Sequence, residues 1–189
     1  MKAKIWSLVA VFVLTLGVVG CASGNSPDGR DQGNVILSIT DFNGLPIQVS
    51  VNGIANGGFL QIGRLTISNI SADPTATTST LMDVEIERYE VGFTRADQGT
   101  RTPQPTVRGI FGIVSVNGTL QYDNLPIMSA EEFTNQPLSD LLFANGGIDT
   151  ETGSEAILLN LNLKFYGRTL GGDRVETQTA ANFTVQFVQ

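Results

Sequence analysis

The sequence offers one thiol, Cys21, no histidine, and a scatter of carboxylates. A cysteine directly behind a run of apolar residues is a nucleophile placed where a targeting segment ends, and a lone one can form no intramolecular disulfide. Without an imidazole, and with that thiol committed to targeting, Ser-His-Asp and Cys-His relays and the commonest zinc ligand sets are out of reach. Carboxylates remain. The stretch Asp149-Thr150-Glu151-Thr152-Gly153-Ser154-Glu155 sets Asp149, Glu151 and Glu155 around a glycine, a spacing by which a tight turn can aim oxygens at Ca²⁺. It lacks the full calcium-loop pattern and its distant bidentate acid, and it has the composition of a solvated turn before a strand, so no metal is expected there. Asp83, Glu85 and Glu87 alternate on one strand face beside Arg88, either a binding stripe or the water-facing side of a strand. Tyr89 and Tyr122 can be contact residues or sheet packing. A glycosidase needs two carboxyls across a cleft, and nothing in the sequence brings two together. No catalytic residues and no cofactor are expected.

The leader carries chemistry of its own. Met1-Lys2-Ala3-Lys4 is a short cationic start, and Ile5 to Val19 is apolar apart from Ser7, Thr15 and Gly17, the layout of an export signal over residues 1–20. A helix through the residues between Lys4 and Cys21 would span about 24 Å, short of the ~30 Å hydrocarbon core. The segment ends Val18-Val19-Gly20-Cys21, which resembles the lipobox of bacterial lipoproteins. That resemblance covers the leader alone. It implies that the Cys21 sulfur is diacylglycerylated, that the chain is cut before it, and that the freed amine is acylated. An ordinary leader cut after Ala22 is the alternative. Acyl chains contribute about 0.8 kcal/mol per buried CH₂, so two or three would hold the chain stably on a membrane. Ala22 after the cysteine resembles the outer-membrane class, which places the expectation at the outer membrane of a Gram-negative envelope.

These residues need elements to position them. Ala22 to Gly33 reads ASGNSPDGRDQG, with no large apolar side chain to offset chain entropy, and is expected to be a flexible tether over 21–33. Its 12 residues span about 19 Å as a coil. From Asn34 to Gln189 one domain is expected, built from short alternating runs broken by Gly, Asn, Asp and Pro. Val35, Leu37 and Ile39 share a strand face, as do Ile47, Val49 and Val51, and Leu65 and Ile67. Val84 and Ile86 set one parity and Tyr89, Val91 and Phe93 the other, which predicts a bulge near Glu87 and Arg88. Asn117-Gly118 predicts a two-residue type I′ hairpin. Ile157, Leu159, Leu161, Leu163 and Phe165 alternate with mostly polar neighbours, and Val175, Phe183, Val185 and Phe187 share the parity of a last strand. One helical segment is expected near 129–144, where Ser129 and Glu132 form a capping box and Pro137 splits it into two turns. About eight strands with short connections predict an all-β, antiparallel two-sheet sandwich, immunoglobulin-like in the broad sense. Lipobox, polar tether and sandwich together resemble uncharacterised surface lipoproteins of Gram-negative bacteria, a resemblance of architecture that implies no activity.

After residue 20 nine basic residues face eighteen acidic ones, a formal balance of −9. So few cations can displace few counterions, and nucleic acid is not an expected partner. The matches at Asn69-Ile70-Ser71, Asn117-Gly118-Thr119 and Asn182-Phe183-Thr184 to glycosylation acceptors are taken as coincidence. The expectation is a membrane-anchored, non-catalytic envelope module, held through lipid on Cys21, that binds an envelope protein or supports an assembly through the long segments Asp97 to Arg108 and Leu125 to Ser154. The alternatives are a small-ligand or calcium-binding periplasmic or surface protein and a carboxylate-based hydrolase.

Overall fold

The computed structural model describes residues 34–177 and 183–189. The leader, Cys21 and the tether lie outside the described residues, as does Asn182. In chain order the elements are β1 (Val35–Asn43), β2 (Gln48–Ser50), α1 (Val51–Ala55), β3 (Phe59–Ser71), β4 (Val84–Arg95), β5 (Thr106–Val114) and β6 (Gly118–Ser129). They are followed by α2 (Ala130–Phe133), β7 (Ala156–Thr169), β8 (Arg174–Glu176) and β9 (Phe183–Val188). One sheet has the order β1-β3-β6; the other runs β2-β9-β7-β4-β5, with β8 also on β7. The chain folds as an all-β sandwich of these two sheets around one apolar core, to which Leu37, Ile62, Leu65 and Ile67 come from the smaller sheet and Ile86, Val91, Leu161 and Phe165 from the larger.

Strict alternation makes β7 the centre of the larger sheet. Ile157, Leu159, Leu161, Leu163 and Phe165 are all fully buried. Antiparallel partners lie on both sides: β4 along most of its length, and β8 and β9 in succession on the other edge. The expected bulge is present. Ile86 stands opposite Gly167 and Arg88 opposite Tyr166, so Glu87 is the extra residue that lets Val84 and Ile86, then Tyr89, Val91 and Phe93, all face inward. Across the core, the Tyr122 ring stacks on Phe165 at 5.9 Å between centroids, and the Tyr89 hydroxyl donates to Pro126 O at 2.7 Å.

Four expectations need correction. The residues around Asn117-Gly118 form no paired hairpin: β5 hydrogen-bonds to β4 and β6 to β3, so this turn carries the chain from one sheet to the other. Its closing bond runs from Gly118 N to Ser115 O at 2.9 Å, which makes Val116 and Asn117 the central pair, and only Asn117 has positive φ, 58°. A type I′ turn needs positive φ at both. Val51 begins the short helix α1, capped by the Ser50 hydroxyl accepting from Gly53 N, and Ile47 is 82% exposed, so only Val49 of that trio is buried on a strand. The expected last strand is two, β8 and β9, although all four predicted apolar residues are buried. Finally, pairing is not wholly antiparallel, because β2 lies parallel to β9.

The segment near 129–144 is as sketched but shorter in each part: α2, then 3₁₀ turns over Leu138–Leu141 and Phe143–Asn145 after Pro137. Glu132 closes the predicted box by accepting from Ser129 N at 2.6 Å and its hydroxyl at 2.7 Å.

Further polar contacts join the sheets along their sides. Leu37 of β1 forms a parallel bridge with Thr177, whose backbone N–H and Oγ1 both engage the backbone of Phe165. Asn69 of β3, fully buried, donates through Nδ2 to Met82 O at 2.9 Å and Val114 O at 3.1 Å. Beside the bulge, the β4 backbone presses on β7: a Cβ on Gly167 would sit 2.2 Å from Glu85 O. Gly167→Ala is therefore expected to cost about 1–3 kcal/mol, the range for an overpacked core site, read as a lower urea midpoint with an unchanged slope.

Candidate functional site

At the end of the sandwich where β4 runs out, two arginines and four acids meet. Arg95, the last residue of β4, has a side chain only 3% exposed. Its guanidinium donates to Asp97 Oδ1 at 2.6 Å and to Asp149 Oδ2 at 2.8 Å, with Glu151 Oε2 at 3.9 Å. Arg101, on the loop that follows, reaches Asp140 at 3.3 Å, Asp149 at 3.7 Å and Glu151 at 3.7 Å. It also donates to Thr150 Oγ1 at 2.6 Å and Gln136 Oε1 at 3.2 Å.

Local sequence explains how each side chain gets there. Asp97 turns the chain by accepting from Gly99 N at 2.9 Å, and its other oxygen takes Leu158 N on β7, also at 2.9 Å. Gly99 is needed because the guanidinium of Arg95 fills the place of its Cβ, with Arg95 Cζ 2.2 Å away. Asp149 closes its own turn: its N–H donates to Ser154 O, Gly153 N donates back to its carbonyl, and Gly153 has φ of +73°. Its carboxylate takes the Thr152 hydroxyl at 2.7 Å and Glu151 N at 3.2 Å.

Electrostatics follow from these bonds. Burial pushes the Asp149 carboxyl up, but the bonds from Arg95, Thr152 and the Glu151 amide outweigh it and hold its pKa below the ordinary value. Asp97 behaves alike: burial raises it, and Arg95 with the Leu158 and Gly99 amides brings it down. Glu151 is held down to about 2 by the Thr100 hydroxyl and the backbone N–H groups of Arg101 and Thr100. A general acid working near neutral pH needs its carboxyl raised; these move the other way.

Of the sequence-predicted residues, Asp149 and Glu151 sit in this network facing guanidinium groups, whereas Glu155 is exposed and outside it. Among the described residues no group of three or more His, Cys, Asp or Glu side chains converges as a metal site. Asp83 accepts from Val116 N at 2.8 Å, Glu87 pairs with Arg168 at 3.2 Å, and Arg88 lies over the Tyr166 ring at 4.9 Å, so that stripe is tied to its neighbours. Tyr89 is 2% exposed and Tyr122 half-buried, with burial raising the latter's pKa to about 12. Arg95, Asp97, Arg101 and Asp140 were not singled out from sequence. The available signal was two arginines six positions apart at the end of an apolar strand, in a chain with few cations.

Beside the network a shallow pocket of about 520 Å³ is lined by Ala96, Asp97, Gln98, Thr152, Ser154, Ala156 and Leu158. The chain matches no family model and no curated protein.

Removing Arg95 leaves Asp149 buried without its strongest partner, so Arg95→Leu is expected to cost about 3–5 kcal/mol, the range for a broken buried pair. Loss of both partners in Arg95→Leu/Asp149→Leu is expected to cost less than the two single changes added together, as measured by denaturant unfolding. The carboxyls of Asp97, Asp149 and Glu151 all have folded pKa values below their unfolded ones, so the unfolded chain binds more protons in acid. Their contribution is present above the unfolded values and is lost as pH falls through the folded ones, for Glu151 from about 4.5 to about 2. Melting temperature is expected to fall through that window, with a shallower fall in Arg95→Leu.

Proposed function

We propose that the chain is a bacterial lipoprotein, cut before Cys21 and lipid-anchored in the cell envelope, whose sandwich serves as a non-catalytic binding or structural module. One observation carries it: the cationic start, the apolar run and Val18-Val19-Gly20-Cys21 coincide, and a polar tether then runs to the first residues of β1. In this reading attachment belongs to the lipid on Cys21, with Ala22 favouring the outer membrane; among the described residues no helix is long and apolar enough to cross a membrane.

The strand pairing supports the immunoglobulin-like part of the reading. Taking β1, β3, β4, β5, β6, β7 and β9 as A, B, C, C′, E, F and G gives one sheet A-B-E and another G-F-C-C′, the neighbour relations of that family. It also accounts for the turn at Asn117, because C′ and E belong to different sheets. The two long segments expected from sequence as loop surfaces are shorter than expected, because Thr106–Arg108 belong to β5 and Leu125–Ser129 to β6; a contact role is supported by what remains, which Arg101 ties together by its bonds to Gln136, Asp140 and Thr150.

Small-ligand binding is a second reading, favoured by the pocket beside Gln98, Thr152 and Ser154. A metabolite panel that raises the melting temperature of wild type but not of Thr152→Leu would promote it over the first.

The anchor is tested by intact mass. Membrane-extracted protein is expected to begin at Cys21 and carry a diacylglyceryl group, and Cys21→Ser is expected to lose both. An unlipidated chain beginning at Ser23 would refute the anchor and leave an exported, unanchored sandwich.

A further inference from the structure

Asparagine loses ammonia when the backbone nitrogen of the next residue attacks its side-chain carbonyl carbon, and a following glycine speeds this because no Cβ hinders the approach. Five Asn-Gly pairs fall among the described residues, at Asn43, Asn52, Asn56, Asn117 and Asn145. The reaction needs a side-chain amide free to turn and a glycine N–H free to give up its proton. A hydrogen bond to either group holds it back.

Four of the five are held at both groups. Asn52 donates through Nδ2 to Leu141 O at 3.3 Å and accepts through Oδ1 from Phe143 N at 3.1 Å, while Gly53 N donates to Ser50 Oγ at 3.2 Å. Asn56 Nδ2 donates to Asn52 O at 2.8 Å, and Gly57 N to Ile54 O at 3.0 Å. Asn117 Oδ1 accepts from Ser71 N at 3.3 Å, and Gly118 N closes its turn on Ser115 O. Asn145 Nδ2 donates to Ser139 O at 2.8 Å, and Gly146 N to Phe143 O at 3.3 Å. Asn43 differs. It is exposed, it ends the ladder between β1 and β3, and among the described residues neither its side chain nor Gly44 N has a hydrogen-bond partner. The fold also fixes the glycine beside it: Gly44 has φ of +74°, and a Cβ there would lie 3.0 Å from Gly63 Cα.

We propose that Asn43 is a site of spontaneous covalent modification, converting to aspartate and isoaspartate through attack by Gly44 N. The nitrogen bonds to Asn43 Cγ as the Cγ–Nδ2 bond breaks, and Nδ2 leaves as ammonia with the proton that Gly44 gives up. Water then opens the cyclic imide. Cleavage between Gly44 N and Cγ gives aspartate, whereas cleavage between Gly44 N and the Asn43 backbone carbonyl carbon gives isoaspartate, with the chain now running through Cβ. Either product replaces a neutral amide by a carboxylate. Asn43 stands opposite Arg64 and Arg64 opposite Asp123, so the new charge is set beside a guanidinium already paired with Asp123 at 3.7 Å. Isoaspartate also adds a backbone atom where Gly44 and Gly63 lie against one another, which loosens the end of β1.

Peptide mapping by mass spectrometry, on the folded full-length protein held in mildly alkaline buffer, tests the proposal. Asn43 is expected to convert at least about tenfold faster than any of the other four, ~1.4 kcal/mol of barrier, with isoaspartate in the peptide that carries it. In urea, where the fold no longer protects the others, the five rates are expected to converge. Asn43→Gln, whose longer side chain would have to close a larger ring, is expected to abolish the early conversion and leave the melting temperature unchanged. Another asparagine converting first in the folded protein overturns the proposal. So does an Asn43 that stays intact in the folded protein while the unfolded chain reacts, and so does a lead of Asn43 that persists undiminished in urea.

Discussion

Every odd-numbered residue of β7 from Ile157 to Phe165 is fully buried, and the strands beside it must bring their own buried residues into step. On one side Phe183, Val185 and Phe187 stand opposite Leu161, Leu159 and Ile157; on the other Phe93, Val91 and Tyr89 stand opposite Leu161, Leu163 and Phe165. A one-residue slip of either partner would turn its apolar set to water. The extra residue at Glu87 follows from this constraint, because it re-phases β4 beyond Tyr89 so that Ile86 and Val84 stay inside. That same adjustment presses the β4 backbone onto Gly167. Register, bulge and glycine are thus three consequences of one alternating strand.

The ionic cluster solves a different problem. The loop after β4 has little apolar surface with which to fix itself, and Arg95 and Arg101 supply directional contacts there; the segment after β6 is held in addition by Phe133, Leu138 and Leu141, which are fully buried in the core. Charges withdrawn from water are costly, and an apolar replacement of similar volume can be as stable. What the network adds is choice of partner: Arg95 requires a carboxylate on each side, from Asp97 next in its own turn and from Asp149 far along the chain. Arg101 then brings in Asp140 and Thr150, so the segments after β4 and after α2 have one way to meet.

Legibility in the sequence tracked how local each cause was. The alternation of β7, the parity break at Glu87 and the pairing of Ser129 with Glu132 depend on neighbours a few residues apart, and all three are in the structure. Asn117-Gly118 misled because a turn dipeptide specifies a reversal without specifying which sheet receives the next strand; that depends on β3 and β4, dozens of residues upstream. Val51 continued an apolar alternation, but Ser50 caps a helix there, and the Ser50 hydroxyl that settles it also fits a turn. Asp149 and Glu151 were noticed as carboxylates around a glycine. Their partners Arg95 and Arg101 lie about fifty residues away in sequence, joined only by tertiary folding.

Surface charge bears on how such a domain can be held at a membrane. Beyond Lys4 the chain has one lysine, Lys164, which pairs with Glu176, while Arg64 pairs with Asp123 and Arg168 with Glu87. The three guanidiniums of Arg95, Arg101 and Arg108 are engaged by acids within the fold. Cations used in this way are partly neutralised where they sit, and the excess of acids over bases opposes binding to anionic headgroups. On the proposed reading the domain adds little electrostatic adhesion, and attachment rests on acyl chains at Cys21. On that reading, domain surface and anchor are free of one another: substitutions on the loops would alter what the domain contacts without altering where the chain is held.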